Sequence, residues 1–203
     1  MSLRIVVPHE TADGETRVAQ TPDAIKRWTS DGISFRIESG AGDAAGFPDE
    51  AYRDVGAEIA EGAARLYEDA HVVLRVTAPG PEEVEHLERG VVLACLLRPH
   101  ANVGLIESLA ERGVTALALE LVPRITRAQS MDALSSQSNL AGYKAAVRAA
   151  DTLGRIFPLL TTAAGTLSPA RVLVLGAGVA GLQAIATAKR LGAATWGYDI
   201  RPA

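Results

Sequence analysis

Short apolar runs alternate along the chain with longer segments whose apolar residues recur every three to four positions. "LRIVV" at 3–7, "ISFRIES" at 33–39, "HVVLRV" at 71–76, "GVVLACLL" at 90–97 and "VTALAL" at 114–119 predict strands. Between them, "TPDAIKRWTSDG" (21–32), "PDEAYRDVG" (48–56), "PEEVEHLERG" (81–90) and "NVGLIESLAERG" (102–113) predict helices. The first has Thr21 as N-cap, Pro22 at the first helical position and Gly32 near its end. Asn102 is the expected cap of the last. A β-α-β-α rhythm with short connections predicts a mostly parallel sheet covered by helices on both faces.

The rhythm breaks at "ELVPRITRAQSMD", where Pro123 ends a strand and a polar segment follows. Beyond it, Leu140, Tyr143, Ala146, Val147, Ala150, Leu153 and Ile156 recur at helical spacing. They predict one long helix over residues 136–157 that joins two halves. "PLLTTAAGTLSPA" then leads into a second unit.

That unit carries the most legible chemistry. The strand "RVLVL" runs into Gly176-Ala177-Gly178-Val179-Ala180-Gly181, a helix follows at once, and a second strand, "TWGY", closes on Asp199. Gly176 permits the tight turn, Gly178 leaves room for a diphosphate, and Gly181 lets helix and strand pack closely. The helix N-terminus, with Val179 and Ala180, offers free amides and the positive end of its dipole. Asp199 lies 23 residues after Gly176, near the offset expected for the acid that accepts from the adenosine ribose. Ile200 and Arg201 follow it. The acid favours NAD over NADP; Arg201 pulls the other way, since an arginine there accommodates a 2′-phosphate. The bland alternative is a glycine-rich packing turn that binds nothing.

Composition narrows the classes. Of the 203 residues 48% are hydrophobic and only 4% aromatic, so the core is built from Ala, Val, Leu and Ile. The net charge of −4 with neither sign clustered argues against nucleic acid as a partner. Cys95, alone of its kind and set in an apolar run, reads as a core residue, and neither a disulfide nor a cysteine-based zinc site is available. No histidine spacing suggests a metal. The uncharged stretches around Arg171 are too short to span a bilayer and are broken by Pro158, Pro169 and glycines. The first residues do not read as a signal peptide.

Four stretches together carry a family resemblance: "RVAQTP" at 17–22, "ESGAG" at 38–42, "VPRITRAQSMDALSSQSNLAGYKA" at 122–145 and "GAGVAGLQAIATAKRLGA" at 176–193. They resemble the NAD(H)-binding domain I, or alpha subunit, of proton-translocating nicotinamide nucleotide transhydrogenases, with alanine dehydrogenases as relatives. The resemblance implies an α/β fold of two Rossmann-like lobes with mostly parallel sheets joined by a long helix. The lobes would be an N-terminal one over 1–135, a linking helix and connector over 136–165, and the start of an NAD-binding lobe, incomplete in this chain, over 166–203. It also implies that "RAQSMDALSSQSN" is a loop beside the nicotinamide. Arg124 would orient the carboxamide, Asp132 and Ser135 would hold the nicotinamide ribose, Gln129 would reach toward the second nucleotide, and Tyr143 would stand close by. On the residues alone, the serines also read as caps and turn formers, and Arg124 with Asp132 as a solvated pair.

The family implies hydride transfer between NAD(H) on this chain and NADP(H) on a partner domain. A membrane-spanning subunit would couple that step to proton movement. A homodimer, peripheral on the inner face of the cell membrane, follows from the same likeness. An NAD-dependent alanine dehydrogenase and a non-catalytic nucleotide-binding module are the alternatives. In alanine dehydrogenases an arginine matching Arg17 binds a substrate carboxylate beside a lysine and a histidine. Here Arg75 and, in a looser alignment, Arg98 stand at those two positions. A guanidinium does not shuttle protons near neutral pH, which favours the transhydrogenase reading.

Overall fold

A computed structural model describes residues 3–29 and 31–201. Ser30, within the first expected helix, and Pro202 and Ala203, at the end of the glycine-motif segment, lie outside the described residues. The chain divides into two compact units, Met1–Pro123 and Arg124–Ala203.

In the first unit the elements run β1 (Arg4–Val7), α1 (Pro22–Thr29), β2 (Ser34–Glu38), α2 (Asp49–Arg53), β3 (Glu58–Ala60), α3 (Ala63–Tyr67), β4 (Val72–Thr77), α4 (Pro81–Glu85), β5 (Val92–Leu96), α5 (Val103–Arg112) and β6 (Thr115–Ala118). The strands form one sheet in the order β3-β2-β1-β4-β5-β6, and every neighbouring pair is parallel. This is the doubly wound Rossmann order, which reverses direction between β1 and β4. Alternation along the strands sends side chains to two cores. Val6, Val73, Leu93 and Cys95 join Leu66, Val84 and Leu109 in one; Val7, Phe35 and Ile37 join Ile25 and Tyr52 in the other. Cys95 is fully buried, and that burial pushes its thiol up to about 12.

Two elements of this unit have no counterpart in the sequence reading. β3 and α3 are three and five residues long and carry little periodicity. They are fixed by Arg36, a charged residue buried in the middle of β2. Its guanidinium ion-pairs with Glu58 of β3 at 3.1 Å. It also donates to the carbonyls of Arg65 and Glu68, at 2.7 and 2.8 Å. Those carbonyls belong to the end of α3, where a helix leaves acceptors unpaired.

Thr21 caps α1 as expected, its hydroxyl accepting from the Ala24 amide at 3.4 Å. Asn102 does not cap α5. Its side-chain amide donates instead to the Leu97 carbonyl at 2.7 Å. That bond spans a turn in which Arg98 holds a left-handed φ of 50°, so the end of β5 takes the group the helix would have used.

The second unit contains α6 (Ala133–Thr152), β7 (Leu160–Thr162), β8 (Gly165–Leu167), β9 (Arg171–Leu175), α7 (Val179–Arg190) and β10 (Ala194–Tyr198). β9 and β10 pair in parallel across the α7 crossover; β7 and β8 form a small antiparallel hairpin that the sequence did not announce. The long helix differs from expectation in its limits. It starts at Ala133, because the Asp132 carboxylate accepts from the Ser135 amide at 2.8 Å and caps it. It ends at Thr152, with Leu153 extended and Gly154 next. Leu140, Tyr143, Leu153 and Ile156 are exposed, while Gly142 and Ala146 are buried. Small residues face inward because α6 lies directly against α7: a Cβ on Gly142 would come within 2.1 Å of the Ala180 carbonyl oxygen. The buried core here is correspondingly small, made of Ala146, Phe157, Ala170, Ala188 and Ala193.

Candidate dinucleotide site

The turn from β9 into α7 is built by its glycines. Gly176 has φ +94°, a conformation closed to most side chains. Its carbonyl oxygen lies 1.7 Å from where a Cβ on Gly181 would stand, so residue 181 must be glycine for the first turn of α7 to sit on the strand end. Around Gly178 the space is open except for the Arg201 guanidinium, 3.8 Å from an added Cβ. The amides of the first helical turn have no intrahelical acceptors and carry the positive end of the helix dipole.

Asp199, just past β10, closes the turn from the other side. One carboxylate oxygen accepts from the Ala177 amide at 2.7 Å. Arg201 forks onto the same carboxylate, Nε to one oxygen and Nη2 to the other, both at 3.0 Å; its own amide adds a bond at 2.9 Å. The Arg201 bonds, with the Ala177 amide, hold the Asp199 carboxyl well below the usual carboxylate range. Asp199 therefore stays ionised throughout the range in which the fold would be studied.

These groups wall a cavity of about 610 Å³ within the second unit. Arg124, Ser135, Gly176, Gly178, Val179, Ala180, Gly181, Asp199 and Arg201, all singled out in the sequence, line it. Gly142 and Ser138 line it too and were not anticipated. The one signal for Gly142 was a glycine inside a helical pattern, which calls for a packing reason. Four expected residues are not brought to its wall. Gln129 is exposed in the 3-10 turn that covers Thr126–Met131. Asp132 spends its carboxylate on Ser135, accepting from the amide and, at 2.6 Å, from the hydroxyl. Those bonds hold the Asp132 carboxyl low. Tyr143 is half exposed on the outer face of α6, and Ile200 is 87% exposed. A cavity of similar size in the first unit, about 640 Å³ between α4 and α5, contains none of the motif residues.

The remaining candidates lie in the first unit. Arg17 is forked onto Glu15, with N–O distances of 2.7 and 2.6 Å. Arg75 is fully buried between Glu10 and Glu83. Arg98 is exposed, and its backbone amide donates to Glu120. Among the described residues no group of three or more His, Cys, Asp or Glu is placed to hold a metal, and no helix is long and apolar enough to cross a membrane.

A doubly wound sheet, a strand–turn–helix with free amides and an acid at the end of the next strand define a protein of the dinucleotide-binding Rossmann class. Its residues suit such a cofactor, since the cradle that a Cβ would fill is kept bare at Gly178. More narrowly, the chain belongs to the alanine dehydrogenase/PNT family: the N-terminal domain of that family matches residues 6–141 and the C-terminal domain residues 145–203. It is 48% identical over 200 residues to an NAD(P) transhydrogenase subunit alpha of Cereibacter sphaeroides, a match covering 98% of this chain and 38% of the relative. A solved transhydrogenase from Sinorhizobium meliloti superposes with a TM-score of 0.93 at 43% identity, over 98% of this chain and 57% of that one. An alanine dehydrogenase of Bacillus subtilis is 36% identical over 193 residues, 93% of this chain and 50% of that protein. The chain thus spans between 38% and 57% of the length of these relatives.

Proposed function

We propose that this chain is the NAD(H)-binding part of a transhydrogenase. In that reading it presents NAD(H) for hydride exchange with NADP(H) held by a partner domain, and a membrane-spanning subunit couples the exchange to proton movement. The observation that carries it is the bare Gly176–Gly181 turn tied to Asp199 through the Ala177 amide. The likeness to transhydrogenase alpha subunits over nearly all of this chain supports the narrower assignment. A bound nicotinamide would supply the ring at which a hydride is accepted or released.

The chain's residues bind and orient. Amides of the first turn of α7 receive the diphosphate. Asp199 receives the adenosine ribose hydroxyls. Its roughly four lone-pair sites are engaged by Ala177 and Arg201, so a bound ribose would have to take the place of Arg201 bonds on it. Arg124 and Ser135 line the same cavity and hold the nicotinamide half; Asp132 positions Ser135 through its cap. Gln129, exposed in its turn, is available to the second nucleotide. Hydride transfer between two rings needs alignment and no proton shuttle, which suits this set of amide, hydroxyl and guanidinium groups. An amino-acid dehydrogenase is the weaker reading, because Arg75 is a permanent cation paired with two carboxylates.

The test is Asp199→Ala. Loss of a charge-assisted pair of hydrogen bonds weakens NADH binding by about 10- to 100-fold. The preference of the unaltered chain for NADH over NADPH narrows in the variant, since the carboxylate no longer repels a 2′-phosphate. Because the Asp199 carboxyl is held low, its ionisation, and with it this contribution to affinity, is constant from about pH 8 down to about pH 5. NADH fluorescence titration reads all three. Equal affinity of the variant and the unaltered chain would refute the role of Asp199.

A further inference from the structure

The ends of α3 and α4 meet through their aromatic rings. Tyr67, the last residue of α3, stacks on His86, which follows α4, with centroids 5.5 Å apart and planes at 15°. Glu38, the last residue of β2, turns one carboxylate oxygen to the His9 amide at 2.7 Å. Between these groups lies a cavity of about 340 Å³, a size that suits a small ligand. All the residues that line it belong to the first unit.

Its chemistry is one-sided. Glu38, Glu82 and Glu83 line it, and no lysine or arginine does. Glu83 is spent on Arg75 and on the Gly80 amide. The second oxygen of Glu38 and both oxygens of Glu82 have no hydrogen-bond partner among the described residues. Carboxylates alone would make no more than a solvated face; Tyr67 is a separate observation. It is only 7% exposed, yet its hydroxyl has no partner among the described residues either. Among them Nε of Arg75 is the one side-chain polar atom that is both sealed from solvent and unpartnered, so the Tyr67 hydroxyl opens into the cavity. Burial and the charge of Glu83 push that hydroxyl well above the usual tyrosine range, which keeps it neutral, and its lone pairs are free to accept. The Tyr67 ring, Leu66 and Ala63 add an apolar wall. A bare metal ion does not suit the place, since no three His, Cys, Asp or Glu among the described residues are set to hold one.

We propose that this cavity is a binding site for a small aliphatic ammonium ion. The ammonium N–H groups donate to Glu38, to Glu82 and to the Tyr67 oxygen, and the alkyl chain lies on Leu66, Ala63 and the Tyr67 ring. Free carboxylate oxygens select a cation, and hydrogen bonds to charged groups are the strong ones. The neutral hydroxyl gains the partner it lacks. The apolar wall separates an alkylammonium ion from sodium or potassium, which bring no hydrocarbon to bury.

The experiment is titration of the ¹⁵N-labelled 203-residue chain with n-butylammonium chloride, with sodium chloride of equal ionic strength and n-butanol as controls. Saturable amide shifts at His9, Ser39, Tyr67 and His86, with a Kd on the order of 1–10 mM, are expected for butylammonium and for neither control. Glu38→Gln, whose side-chain oxygen still accepts from His9, binds about tenfold more weakly. Tyr67→Phe keeps the ring, binds roughly three- to tenfold more weakly, and has a Tm unchanged or raised, because the hydroxyl it loses has no partner in the folded chain. The proposal is overturned if butylammonium gives no saturable shifts up to about 100 mM. It is overturned equally if butanol or sodium chloride reproduces the shifts, if Glu38→Gln binds as tightly as the unaltered chain, or if Tyr67→Phe unfolds several degrees lower.

Discussion

Replacing Gly181 by alanine is expected to abolish dinucleotide binding while leaving the first unit intact. The added Cβ would stand 1.7 Å from the Gly176 carbonyl oxygen and 2.8 Å from its carbonyl carbon. Both are backbone atoms of a turn pinned by the Gly176 amide, which donates to the Tyr198 carbonyl at 2.7 Å. Relief therefore moves either the turn or the start of α7. Overpacking of this kind costs about 1–3 kcal/mol of stability. Binding suffers more, because the amides that receive the diphosphate move with the helix; a loss of more than about 100-fold, or ~3 kcal/mol, is expected. Isothermal titration with NADH, set beside thermal unfolding, separates the two effects.

Gly142→Ala is expected to show the second-largest effect, from a residue that carries no chemistry. Its Cβ would lie 2.1 Å from the Ala180 carbonyl oxygen and 3.0 Å from the Ala180 Cα, so α6 is forced off the first turn of α7. The second unit has few large buried side chains with which to absorb the shift. A stability loss of about 1–3 kcal/mol and a roughly tenfold weaker affinity for NADH are expected. Gly104→Ala in α5 is the control. A Cβ there meets nothing within 4 Å, so stability is unchanged or slightly raised. Urea unfolding followed by tryptophan fluorescence reports the second unit through Trp196, with a Trp28→Phe background to silence the first.

These two glycines also mark how far the sequence could be read. Gly181 belongs to a local motif in which strand, turn and helix follow one another within a short stretch of chain, so its neighbours in space are its neighbours in sequence. The same holds for the strands of the first unit, whose apolar runs are complete in themselves. Gly142 meets Ala180 from 38 positions away, and nothing near it in the chain announces the contact. Of the residues whose spacing predicted the helix, Ala146 is buried while Leu140 and Tyr143 are exposed, because the close approach of α6 to α7 demands small residues at the contact. β3 and α3 escaped notice for a related reason. They are held by the buried Arg36 guanidinium, a long-range polar contact with no periodic signature. In the candidate site, Asp199 and the glycines were legible from spacing. Arg124 and Ser135 were named only through the family resemblance, and the structure adds that they and the motif line one cavity.

The proposed function requires a dinucleotide to seat its diphosphate on the amides that follow Gly176 and its adenosine ribose on Asp199. Titration of the ¹⁵N-labelled chain with NAD, followed by backbone amide chemical shifts, examines both contacts at once. Saturable shifts at Gly178, Val179 and Ala180, with Asp199 and Ser135 moving at the same ligand concentration, are the predicted result. No saturable shifts at all, or shifts confined to residues 1–123, would contradict it.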